Sequence, residues 1–179
     1  MQQDTLSNPL LERQLLAGIL IDPDAYFNIL DIVSADDLTN PDYQMIFRLM
    51  GDVYIGKHSE QPDIFSLLEA WKTQQSGDAN RYLGVLMEIQ SAATTSKLIK
   101  DHAQWVRDLS MKRELLQHCQ DVEAQITSGE GDAEEILQEA EAKMMAVRGQ
   151  RVEDKVTHLD RPLDEAYEIA MKAADGHPP

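Results

Sequence analysis

The chain has one cysteine, Cys119, in 179 residues, so no internal disulfide can form and a disulfide-stapled secreted scaffold is excluded. Aromatic residues make up only 6% of the chain, which leaves aliphatic side chains to build the core. No apolar run approaches the ~18 to 20 residues that a spanning helix needs, and Met1-Gln2-Gln3-Asp4 has neither the basic nor the apolar segment of an export signal. Neither membrane insertion nor export is expected, and a cytoplasmic location follows. Basic residues are scarce, 16 against 32 acidic, for a net charge of -16. Such a surface repels phosphate backbones, so this segment is not expected to bind nucleic acid unaided, and basic protein partners are favoured; the same charge also serves solubility.

Catalytic and ligand motifs are missing as well. No G-x-x-x-x-G-K-[ST] is present, and the close pair Gly129 and Gly131 lies between two helical patterns rather than after a strand, so no phosphate loop is expected. His58, His102, His118, His158 and His177 lack the i, i+4 spacing that lets two imidazoles share a metal, and no second cysteine helps them. Neither a metal site nor a catalytic site is expected. Cys119 sits among apolar positions of a helical pattern, where a reduced thiol packs as a small hydrophobe, so it is expected in the core.

What is present is helix signal. β-branched runs with period-two alternation are absent and helix formers dominate, which makes the chain all-α. Asn8-Pro9 opens a first helix bearing Leu11, Leu15, Leu16, Ile19 and Leu20. Asp22-Pro23 repeats the device for a second helix with Tyr26, Phe27, Ile29, Leu30 and Val33, followed by a turn through Ser34 to Asp37. Asn40-Pro41 opens a third, with Ile46, Phe47, Leu49, Met50 and Val53, that Gly56 can end in a left-handed cap. Asp63 is placed to cap a fourth, with Ile64, Leu67, Leu68 and Trp71, ending near Gly77. A fifth carries Tyr82, Leu83, Leu86 and Ile89. These segments predict a globular helical subdomain over 1–93.

From Thr95 to about Thr127 neither proline nor glycine interrupts the chain, which allows one helix of about 50 Å. Gly129-Glu130-Gly131 breaks it, and Asp132 with Glu135 caps a second helix bearing Ile136, Leu137, Ala140, Met144 and Val147. The two predict an antiparallel hairpin over 94–149. The stripe of the long helix, Leu98, Ile99, Trp105, Val106, Leu109, Leu116, Cys119 and Ile126, is wider than one short partner helix can cover, so Leu98, Trp105, Leu109, Leu116 and Ile126, with Ile136 and Met144 of the second helix, are the expected self-association surface; packing of the first half on the globular subdomain is the competing use. The acidic tip, with Glu134, Glu135 and Glu139, reads as a solvated helix start and, alternatively, as a docking site for a basic partner. Residues 150–179 read as a linker with an amphipathic helix at 162–174, whose Leu163, Tyr167, Ala170 and Met171 share one face that needs a partner.

Taken in order, these segments resemble the N-terminal domain and linker of the replicative hexameric DNA helicases of the DnaB family. Pro9, Glu12, Leu15, Leu16, Gly18 and Leu20 resemble the opening helix, and Asn40-Pro41 through Ile46-Phe47 the third. Asp63, Ser66 and Leu67, then Tyr82-Leu83 and Leu86, match the next two. Ala103, Val106, Arg107, Arg113 and Glu114 match the first hairpin helix, and Ile136, Leu137, Ala140 and Glu141 the second. Asp175-Gly176 resembles the stretch before the ATPase domain. Leu38, Tyr43, His102 and Leu109 depart from the residues usual there, which fits a phage or plasmid version.

The resemblance implies a compact subdomain, a long antiparallel hairpin and a separate linker helix. It further implies pairing through the hairpin, giving a dimer or a trimer of dimers, and a hexamer in the full-length protein. The collar so formed would bind primase or a helicase loader, and would meet DNA only through the full-length assembly. The face of Leu163, Tyr167, Ala170 and Met171 would dock on a neighbouring subunit's ATPase domain. This chain would need no cofactor; ATP and Mg would serve the motor beyond Pro179, which would unwind DNA in a bacterial cytoplasm. The alternative is a stand-alone loader or inhibitor that mimics the helicase domain.

Overall fold

A computed structural model describes residues 6–56, 64–74, 79–92, 95–129 and 131–147. All regular structure among them is helical, as the composition predicts. Helix α1 (Pro9–Ile21) starts as its sequence dictates: the Asn8 side chain accepts from the Leu11 N–H at 3.1 Å and Pro9 occupies the first turn, so one of the helix's unpaired donors is satisfied and a second is absent. Asn40 opens α3 (Pro41–Gly56) in the same way, accepting from the Asp42 N–H at 2.9 Å.

The stretch between them differs from the expected helix. Asp22 does not cap it: Pro23 holds that position without a side-chain hydrogen bond, and α2 (Asp24–Phe27) is a single turn. The chain continues in i→i+3 bonds, Ile29 to Tyr26 at 3.1 Å and Ile32 to Ile29 at 2.9 Å. Such turns repeat close to the helical period, which is why Tyr26, Ile29 and Val33 are buried as expected although the backbone is not an α-helix. A short 3-10 turn, Ala35–Asp37, follows. Helix α3 also differs at its end, running through Gly56, which is still helical rather than left-handed.

Helices α4 (Ile64–Gln74) and α5 (Ala79–Ser91) pack together, with the Trp71 and Tyr82 rings stacked at 4.8 Å. The cap assigned to Asp63 and the end near Gly77 lie outside the described residues. Leu15, Leu16, Ile46, Met50, Leu67 and Leu86 are completely or almost completely buried, so one core joins α1, α3, α4 and α5.

Helix α6 (Ile99–Ser128) runs 30 residues, about 45 Å at 1.5 Å per residue. Ile99, Ala103 and Val106 belong to the same core, and α1 is its main neighbour. Beyond Ser110 none of its residues is buried. Its second half is an arm extending from the head. Gly129, at φ 71°, ends α6 in the left-handed conformation that glycine adopts without a Cβ penalty. Asp132 then accepts from the Glu135 N–H at 2.9 Å, capping a last helix, α7, over 133–147. Gln125 donates to Glu139 at 2.9 Å, which ties α7 back against α6. Among the described residues no helix is long and apolar enough to cross a membrane.

Candidate docking and assembly surfaces

The arm carries part of the exposed apolar surface; Ile21, Phe27, Phe65 and Met87 are exposed on the head as well. On its root, Ile99, Ala103 and Val106 turn into the core while Trp105 stays 56% exposed and Leu98 is exposed beside it. Leu109 is half-buried against the core. An open groove of about 370 Å³ runs between α1 and α6, walled by Leu10, Leu11, Trp105 and Leu109 with Asn8 and Asp108 at its rim. A second, of about 530 Å³, lies where the arm leaves the head, lined by Leu6, Thr39, Arg113, Leu116 and Gln117. Farther out, Ile126 is 63% exposed, Leu116 and Ile136 are half-buried and Met144 is exposed.

Three exposed apolar residues join this surface without having been singled out among the expected association residues. Leu10 lies one position ahead of the buried stripe of α1, and Leu137 and Met145, the latter 72% exposed, widen the face of α7. The doublets Leu10-Leu11, Ile136-Leu137 and Met144-Met145 carry the available signal, since adjacent apolar residues on a helix point about 100° apart and cannot all face one partner.

Cys119 is exposed, not part of the core. Its helical spacing was apolar as expected, but it lies nine residues beyond the last buried position of α6, where the head no longer covers the helix.

The acidic tip divides. Glu134 and Glu135 are exposed. Glu139 is exposed but engaged: Lys143 reaches it at 2.7 Å, and hydrogen bonds from Lys143 first and Gln125 second hold its carboxyl below the usual range. The same contact raises the Lys143 ammonium above its ordinary value. Glu134 accepts from the Gln138 amide at 3.4 Å, and neither it nor Glu135 forms an ion pair among the described residues.

Where α6 meets the head, a polar cluster that sequence reasoning did not assign holds the two together. Arg107 donates to Asp37 Oδ1 at 2.6 Å, and these side chains are only 8% and 3% exposed. The other carboxylate oxygen of Asp37 accepts from the Ser34 N–H at 2.7 Å and its hydroxyl at 3.1 Å. Arg113 donates to the main-chain carbonyls of Leu6 at 2.8 Å and of Asp37 at 2.5 Å. Nearby, the buried Glu12 accepts from the N–H and hydroxyl of Thr39, at 3.0 and 2.6 Å. The oxygens of these carboxylates are thus engaged by donors of the fold.

His102 is the other buried titratable group of α6. Burial pushes its imidazole below the ordinary value against the opposing charge of Asp101, and Nδ1 meets no hydrogen-bond partner among the described residues. No cluster of three or more metal-ligating side chains exists among the described residues.

Residues 4–108 match the family model described as the DnaB-like helicase N terminal domain. The chain belongs to that family. Beyond this domain, the DnaB-like match extends to longer relatives: "Replicative DNA helicase DnaB" of Pasteurella multocida (strain Pm70) is 27% identical over 141 residues, covering 78% of this chain and 30% of the relative. The protein of the same name from Leifsonia xyli subsp. xyli (strain CTCB07) is 24% identical over 165 residues, covering 90% of this chain and 34% of the relative. The chain thus spans about a third of the length of these DnaB relatives. The crystal structure of the N-terminal domain of DnaB helicase from Mycobacterium tuberculosis superposes with a TM-score of 0.68 at 20% identity, covering 78% of this chain and 96% of that one. The all-helical fold is that of a DnaB N-terminal domain.

Proposed function

We propose that this chain is the assembly and docking module of a replicative DNA helicase, with a globular head over 1–93, a hairpin arm over 94–149 and a linker over 150–179. The observation that carries the reading is the arm itself. A chain of this family leaves Trp105, Ile126, Leu137, Met144 and Met145 exposed on a projecting hairpin, and a run of exposed apolar residues along one arm suits a protein interface. Leu98, Leu109, Leu116 and Ile136 complete the face.

In this reading arms of neighbouring copies pair, giving a dimer or a trimer of dimers, and heads and arms together form the collar of a hexamer. The collar offers its surface to primase and to a helicase loader, with Glu134 and Glu135 steering a basic partner. Leu163, Tyr167, Ala170 and Met171, which lie outside the described residues, supply the linker face that docks on a neighbouring motor. ATP and Mg belong to that motor, which unwinds DNA; this chain positions it. Sedimentation of the chain with its host's primase tests the docking role: a stable complex is expected, and a primase that stays free in the presence of assembled collar would refute it.

A further inference from the structure

We infer that Asp37, Arg107 and Arg113 form a latch that fixes the direction in which the arm leaves the head. Two charged side chains of one helix converge on a single head residue by different routes: Arg107 takes the Asp37 carboxylate at 2.6 Å, and Arg113 takes the Asp37 carbonyl at 2.5 Å. They are about 9 Å apart along the helix axis. Arg113 also holds the Leu6 carbonyl at 2.8 Å, and Glu114 approaches the Arg107 guanidinium at 3.8 Å from about two turns farther out. The target cannot drift, because the Ser34 N–H and hydroxyl pin the remaining Asp37 oxygen.

Position along α6 makes the cluster more than one ion pair among others. Ser110 is the last buried residue of the helix, and Arg113 lies just beyond it. Apolar packing at Ile99, Ala103 and Val106 is non-directional. Charge-assisted hydrogen bonds at two levels of the helix fix both tilt and rotation. No proline or glycine interrupts α6 between Arg113 and Ser128, so whatever angle the latch sets is carried to the tip. A tilt of about 20° at Arg113 swings Ser128 by roughly 8 Å over a lever of ~23 Å. Arg107 and Arg113 are positioning residues. If the arm is the assembly arm, a point that rests on the function proposed above, they decide where its apolar face points.

Spin labels test this within one chain. The exposed Cys119 accepts one label on the arm, and Met87→Cys on α5 supplies the other on the head. The full chain, diluted into unlabelled Cys119→Ser chain so that only distances within one molecule are read, is expected to give a single narrow distance peak. Arg113→Met is expected to abolish that peak in favour of a broad distribution. Arg107→Met strands a buried carboxylate and can unfold the head, so Arg113→Met is the decisive variant. A second label pair confined to the head, Asp31→Cys with Met87→Cys in a Cys119→Ser chain, is expected to stay narrow in Arg113→Met. An unchanged head-to-arm peak overturns the latch, and broadening of both pairs overturns it too, because Arg113 then supports the fold at large. Trp105→Asp, which tests assembly, leaves the head-to-arm peak narrow whether or not the chains associate.

Discussion

Asp37 and Arg107, 70 positions apart in the chain, meet as a buried ion pair at 2.6 Å. Removing one partner of such a pair leaves a charge without water or counter-charge, which costs about 3–5 kcal/mol, whereas replacing both with apolar groups of similar size is often neutral. Arg107→Met is expected to lower the urea midpoint strongly, and Arg107→Met with Asp37→Asn, which removes the stranded charge but keeps an acceptor for the Ser34 N–H, to recover part of the loss. Additive losses in the double variant would show that the two side chains act separately.

Gly51 of α3 faces the Tyr26 ring, whose hydroxyl occupies the space a Cβ would need. Gly51→Ala is favourable to helix propensity by ~1 kcal/mol but drives a methyl group into that oxygen, at a cost of about 1–3 kcal/mol for overpacking. Net destabilisation is expected, relieved when Tyr26→Phe removes the hydroxyl. Thermal melts of the three variants check it, and a stabilised Gly51→Ala chain would refute the close contact.

Acid sensitivity follows from His102. Its folded imidazole titrates below the ordinary 6.5 because burial disfavours the charged form. The unfolded chain therefore holds more protons in the window between the lowered folded value and 6.5, so stability rises with pH through that window and is lost as pH falls below 6.5. His102→Gln is expected to flatten the dependence of the urea midpoint between neutral and mildly acidic pH. A slope that survives the substitution would assign it to other groups.

Local devices were legible in the sequence and long-range ones were not. Asn8 and Asn40 satisfy donors within a few residues of themselves, and Asp132 caps Glu135 in the same way, so these helix starts follow from short-range chemistry. The second expected helix is cut short because Tyr26, Ile29 and Val33 bury equally well on a run of mixed i→i+3 and i→i+4 turns. Asp37 looked like a turn residue, and nothing in the spacing from Asp37 to Arg107 announces their contact. Cys119 shows the limit of periodicity: a stripe says which residues share a face, but only the fold shows that coverage by the head stops at Ser110.

The acidic tip predicts a salt-dependent encounter. Glu134→Lys with Glu135→Lys should slow association with a basic partner by about tenfold at low ionic strength, with the difference vanishing as salt rises. Glu139→Lys is a poorer probe, since it also breaks the contact with Lys143. Stopped-flow association rates measure the effect, and rates indifferent to both salt and charge reversal would dismiss the steering role.

Equilibrium sedimentation of the chain tests the arm as an association surface most directly. Wild-type chain is expected to form oligomers, while Trp105→Asp and Ile126→Asp, which alter exposed positions, should shift the population toward monomer with the fold intact. Wild-type chain that remains monomeric at high concentration, or variants that associate as tightly as wild type, would contradict it.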